Sequence, residues 1–96
     1  MHVVRRSYSG HGAKELIDLV LKNKDEVTSL MRGVKGFVGY HIVKIGDEYL
    51  TVTMCHDKSG CDESVRIARD WVSKNASSTG VAAPQISEGE VLLRIV

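Results

Sequence analysis

Apolar residues change period repeatedly along this chain, and the order of those changes constrains what it can fold into. His2 to Tyr8 is a short β-branched run with partial alternation, ended by Ser9-Gly10-His11-Gly12: a strand, then a loop. From there Ala13, Leu16, Ile17, Val20, Val27, Leu30, Met31 and Val34 recur every three or four residues, marking one face of a helix. The stripe lapses at Asn23-Lys24, where a bend or break is expected, and Gly33 and Gly36 bracket its end. Phe37 to Ile45 and Glu48 to Cys55 are rich in aromatic and β-branched residues, and Gly46-Asp47 closes them into a tight hairpin. A second helix is predicted to open at Ser59 as N-cap, with Asp62 and Glu63 in its first turn. It buries Cys61, Val65, Ala68, Val72 and Ala76, with Trp71 on the flank. Ala76 to Glu90, containing Pro84, reads as one long loop, and Val91 to Val96 as a final, almost wholly apolar strand.

The order strand, helix, strand, strand, helix, strand predicts one α+β domain over residues 1–96, a ferredoxin-like βαββαβ unit. Its sheet should have four antiparallel strands with both helices on one face. That arrangement leaves apolar surface unspent. Val91-Leu92-Leu93-Arg94-Ile95-Val96 is apolar on both faces. The second strand carries Phe37, His41, Val43 and Ile45 on one side and Val38, Tyr40 and Ile42 on the other. Helices cover one side only, so the other would be a large exposed patch unless a second copy packs there. A homodimer is expected.

Composition narrows the function classes. The 96 residues carry a formal net charge of +1 with acids and bases interspersed, which gives no footprint for nucleic acid and no polybasic patch for a membrane surface. No apolar run is long enough to span a bilayer, and Met1 to Arg6 lacks the apolar core of a signal peptide. The two cysteines are too few for a disulfide scaffold. A cytoplasmic protein is expected.

Three segments carry a family resemblance: Gly36-Phe37-Val38-Gly39-Tyr40, the hairpin, and Ala68-Arg69-Asp70-Trp71-Val72. In layout the chain resembles the dimeric α/β-barrel superfamily that includes the antibiotic-biosynthesis-monooxygenase-like proteins. Asp57-Lys58-Ser59-Gly60 and Glu88-Gly89-Glu90-Val91 resemble segments of small bacterial members of unassigned function. The resemblance implies a dimeric barrel with a ligand pocket between sheet and helices. Haem-degrading members use a helical histidine; here the second helix has Trp71 but no histidine, which argues against that activity.

Candidate chemistry is sparse. Cys55, His56 and Cys61 could bind zinc or form a nucleophile, yet a structural zinc site wants four ligands, and Cys61 falls on a buried stripe. No metal and no cofactor are expected. His41 could be a general base in a pocket or an interface histidine. Tyr8, Tyr40, Tyr49 and Trp71 are the candidate pocket lining, as aromatics with polar tips suit a half-wet cavity. Ser9-Gly10-His11-Gly12 lacks the spacing of a phosphate loop, and Arg5, Arg6, Arg66 and Arg69 read as solvated. The leading expectation is a homodimer binding a small organic molecule. The alternative is a cofactor-independent monooxygenase-like enzyme acting on an aromatic or polyketide-like substrate, with His41, Tyr49 and Trp71 orienting it. That alternative requires a cavity of about 300 Å³ or more with at least two convergent polar side chains.

Overall fold

Strand β1 (His2–Tyr8) is held between two neighbours in a four-stranded antiparallel sheet of order β2-β3-β1-β4, in a computed structural model describing residues 1–96. The other elements are α1 (Ala13–Lys22), α2 (Lys24–Arg32), β2 (Phe37–Ile45), β3 (Glu48–Cys55), α3 (Lys58–Asn75), a 3₁₀ turn (Ser77–Thr79) and β4 (Gln85–Glu90). The architecture is ferredoxin-like α+β, with the first helix broken in two. Asn23 makes the break: its side-chain amide donates to the Leu19 carbonyl at 2.8 Å, drawing the last turn of α1 closed.

Residues directly opposite one another in an antiparallel ladder share a face. Val4 packs with Cys55, with Cys61 of α3 and with Val34 after α2, so Val4, Arg6 and Tyr8 face the helices. Their partners Thr53, Thr51 and Tyr49 on β3, and Ile86 and Glu88 on β4, face the same way. Tyr40 and Ile42 join them through Thr53 and Thr51. The opposite, open face carries Val3, Arg5 and Ser7 of β1, Leu50, Val52 and Met54 of β3, and His41, Val43 and Ile45 of β2. No helix covers it, and Val43 and Ile45 are exposed.

Several expectations are corrected. The last strand is Gln85–Glu90, inside the segment read as a loop, and not Val91–Val96. His2 already pairs with Glu90, so β1 offers one further rung, Val91 N–H to the Met1 carbonyl at 2.9 Å, and then ends. Beyond it Leu92, Leu93, Ile95 and Val96 stand 91%, 76%, 85% and 101% exposed. Phe37 does not share His41's face. A bulge between Phe37 and Gly39 shifts the register, so Phe37 lies opposite Cys55 and packs into the core. The N-cap of α3 is Asp57 and not Ser59: the Asp57 carboxylate accepts from the Gly60 amide at 3.1 Å and from the Ser59 hydroxyl at 2.6 Å. Trp71 is central to the buried stripe of α3, in line with Cys61, Ser64 and Ala68, while Val65 and Val72 are only half-buried.

One glycine fixes how α3's outgoing segment lies. Gly12 caps α1 with φ +81°, and a Cβ there would sit 2.4 Å from the Thr79 carbonyl oxygen and 2.7 Å from the Val81 amide nitrogen. Only glycine allows both the left-handed backbone and that approach. The contact clamps residues 79–81 against α1, and the chain from Val81 to Pro84 then roofs one side of the sheet on its way to β4.

Candidate functional site

The helix side of β1 holds a group the sequence reading placed in solvent. Arg6 is only 4% exposed. Its Nη1 donates to the Tyr8 hydroxyl at 3.1 Å and its Nη2 to the Tyr40 hydroxyl at 3.4 Å. No carboxylate reaches it. Five of the twelve acids are in ion pairs elsewhere: Asp18 with Lys14, Asp62 with Lys58, Glu63 and Asp70 with Arg66, and Glu88 with His2 and Lys58. A buried guanidinium without a counter-charge is costly, and two neutral phenols compensate it only in part. The signal was present in the sequence: alternation puts position 6 on the same face as its apolar neighbours at 4 and 8.

Two spaces meet at Arg6 and Tyr8. Inward is a small cavity of about 30 Å³ between the sheet and the helices, where Tyr40, Thr51, Leu16 and Trp71 also contribute walls. The Thr51 hydroxyl there is buried with no hydrogen-bond partner. Outward, a cleft of about 370 Å³ opens between β1, α3 and the Val81–Ile86 segment. Its walls are apolar apart from Arg6, Tyr8, Arg69 and Ser73. A separate groove of about 600 Å³ runs between α2 and β2, past Met31, Phe37 and Tyr40. Burial pushes the Tyr40 phenol above its ordinary 10.0, with Arg6 pulling the other way, so Tyr40 keeps its proton at neutral pH.

Of the residues proposed from sequence, Tyr8, Tyr40 and Trp71 come together around the inner cavity. Trp71's polar tip is already engaged, its indole N–H donating to Glu26 of α2 at 3.1 Å. Tyr49 lies on the same side of the sheet but packs against the Tyr8–Leu16–Trp71 cluster, with the Lys44 ammonium 5.9 Å from its ring centre. His41 stands on the open face, exposed and opposite Val52, away from both spaces. Arg6, Arg69 and Ser73 are the polar groups that sequence reasoning did not assign to the site.

The Cys55–His56–Cys61 cluster does not assemble. No three of His, Cys, Asp or Glu come together as a metal-holding group. Both cysteines are free and buried, whereas His56 is exposed. The Cys61 thiol lies 3.4 Å from the His2 carbonyl, and burial, with Cys55 beside it, pushes Cys61 up to about 11. Burial also raises Cys55. These thiols stay protonated at neutral pH and are poor nucleophiles. Because their values rise on folding, the native state keeps protons that the unfolded chain releases. The thiol contribution to stability is therefore complete below the ordinary 9.0 and is lost as pH climbs towards about 11. Melting temperature is expected to stay level through neutral pH and fall above 9.0, and Cys61→Ala should flatten that fall. An equally steep alkaline decline in the variant would remove Cys61 as its cause.

This sheet order and one-sided helical layer define a ferredoxin-like α+β fold. Among solved structures, the chain is similar to a protein of unknown function from Nitrosomonas europaea, with TM-score 0.72, 15% identity, and coverage of 99% of this chain and 92% of that one. It is similar also to a monooxygenase from the ActVA-Orf6 gene of Streptomyces coelicolor, in complex with nanaomycin D, with TM-score 0.71, 14% identity and coverage of 99% and 90%. A third is a dimeric ferredoxin-like protein from an uncultured marine organism, with TM-score 0.65, 15% identity and coverage of 99% and 96%. At these identities the likeness is one of fold. No protein-family model matches the sequence, and no curated protein sequence matches it either. No helix is long and apolar enough to cross a membrane.

Proposed function

We propose that this protein is a homodimer that binds a small, largely apolar organic molecule on the helix side of its sheet. The observation that carries the ligand reading is the cleft of about 370 Å³, apolar in its walls and supplied with a few convergent polar groups. That size and composition are those of small-molecule sites. The dimer reading rests on the open face, with Val43 and Ile45 exposed, and on the apolar Leu92–Val96 tail standing in solvent beyond the last rung of the sheet. Exposed apolar groups on an uncovered sheet face and tail are the kind of surface that a second copy covers. The dimeric fold neighbour supports the same reading.

Catalysis is the second reading, favoured by the same cleft, since it meets the size and polarity that chemistry requires, and by the monooxygenase among the fold neighbours. The groups lining the cleft and inner cavity are arginines, tyrosines and hydroxyls, with no histidine or carboxylate to act as general base near neutral pH. Binding is therefore the reading the residues support better.

Native mass spectrometry of protein purified without added ligand tests both parts. The expected spectrum is a dimer retaining a mass of a few hundred daltons. A monomer at micromolar concentration would overturn the dimer. A bare dimer that also takes up no apolar aromatic probe would overturn the ligand site. Oxygen uptake on adding an aromatic phenol would move the enzyme reading ahead.

A further inference from the structure

We infer that the molecule held in this cleft is an amphipathic organic anion, with its carboxylate received by the buried Arg6 and with Arg69 adding positive charge at the surface. The inference rests on the reading that the cleft is a ligand site and adds a chemical class to it. Arg6 is 4% exposed, and its side chain has two acceptors only, both neutral phenolic oxygens. Its guanidinium carbon also stands 6.0 Å from the centre of the Tyr8 ring, a weak contact that neutralises nothing. A guanidinium carries five N–H donors in a planar fork matched to a carboxylate, so most of its donor capacity is unspent. The Tyr8 and Tyr40 hydroxyls accept from Arg6 and bring no negative charge to it.

The rest of the cleft agrees in sign. Arg69 is exposed and belongs to no ion pair, although its neighbours Arg66 and Asp70 pair with each other. Ser73 lies one turn further along the same face of α3, and no acid lines the cleft. The space therefore has one buried cation, Arg6, one exposed cation, Arg69, and apolar walls that include Val72, Pro84 and Ile86. One net negative charge on an apolar body answers that arrangement. A phosphate dianion would bring more charge and more oxygens than one buried fork and a few hydroxyls satisfy. Access is compatible with the dimer, because the cleft is on the helix side and the proposed interface is on the other.

The test compares naphthoate with its neutral isostere naphthamide by titration calorimetry on the whole protein at neutral pH. Wild-type protein is expected to bind naphthoate at least about tenfold more tightly, the value of one charge-assisted pair. Arg6→Met should erase that preference while leaving naphthamide affinity within about twofold. Since residue 6 is buried and its replacement also tests folding, Arg69→Gln on the surface is the second arm, with naphthoate weakened about threefold and naphthamide unchanged. Equal affinities of the two probes in wild type would overturn the anion inference and leave the ligand site standing. Failure of both probes to bind would overturn the site itself.

Discussion

Trp71→Ala is expected to cost about 3–5 kcal/mol, a large part of the stability of an ordinary small domain. Trp71 is 6% exposed and lies in the cluster of Tyr8, Ala13, Leu16 and Ala76, against which Leu19, Val20 and Val27 also pack. It thus joins β1, both halves of the broken first helix and the end of α3. Removing the indole leaves a hole next to a cavity that already exists, and the rigid sheet and the Gly12 clamp limit collapse into it. The hydrogen bond to Glu26 is the minor part, since Glu26 is exposed and water replaces it. Trp71→Phe, which keeps an aromatic ring but loses the donor, should therefore retain most of the stability. Thermal melts followed by circular dichroism decide this, at one protein concentration because the proposed dimer would make the midpoint concentration-dependent. The expected drop for the alanine variant is more than about 12 °C. Equal drops for Trp71→Phe and Trp71→Ala would show that the hydrogen bond, and not packing, holds α2 to α3.

Val52→Arg is expected to yield a folded monomer. Val52 sits mid-strand on β3, between Arg5 on one side and His41 on the other, on the face no helix covers. Within one protomer the added guanidinium reaches water, so the strand pairing and the helix-side core are untouched. In a face-to-face dimer the same charge is buried against apolar surface without a partner, once from each copy. That penalty of several kcal/mol corresponds to a rise of about a hundredfold or more in dissociation constant. Sedimentation velocity reads the subunit number, and far-ultraviolet circular dichroism confirms that the fold survives. A dimer as tight as the wild type would place the partner elsewhere than on this face.

How much of this was legible in the sequence depended on whether a residue's surroundings repeat with a regular period. β1, the β2–β3 hairpin and the break at Asn23 were readable because their apolar residues alternate or recur at helical spacing and their turns hold Gly-Asp or Asn-Lys. β4 was not. Its sequence, Gln-Ile-Ser-Glu-Gly-Glu, is what an edge strand uses to discourage further pairing, and polarity of that kind is hard to tell from a loop. The apolar run after it drew the assignment six residues too far. At Phe37 a bulge reversed the face, and period-two reasoning has no means to foresee one extra residue. The site was half legible. Aromatics with polar tips marked Tyr8, Tyr40 and Trp71, whereas Arg6 was masked by Arg5 beside it, and the rim residues Arg69 and Ser73 become part of a cleft only when the chain from Val81 to Pro84 crosses over them.

The central place of β1 also has a bearing on when the protein can form. β1 pairs on one side with β3 but on the other with β4, joining His2 to Glu90 across 88 residues of sequence. Until residues 85–90 have been synthesised, that side of β1 is an open edge, Arg6 has no roof, and the tail that follows has no sheet to extend. Completion of the sheet therefore waits for β4 and for closure of that long connection, and is expected to be slower than the helical content suggests. A nascent chain stalled short of β4 presents an unpaired, partly apolar strand edge, which makes early termination products of this protein candidates for aggregation and for chaperone capture.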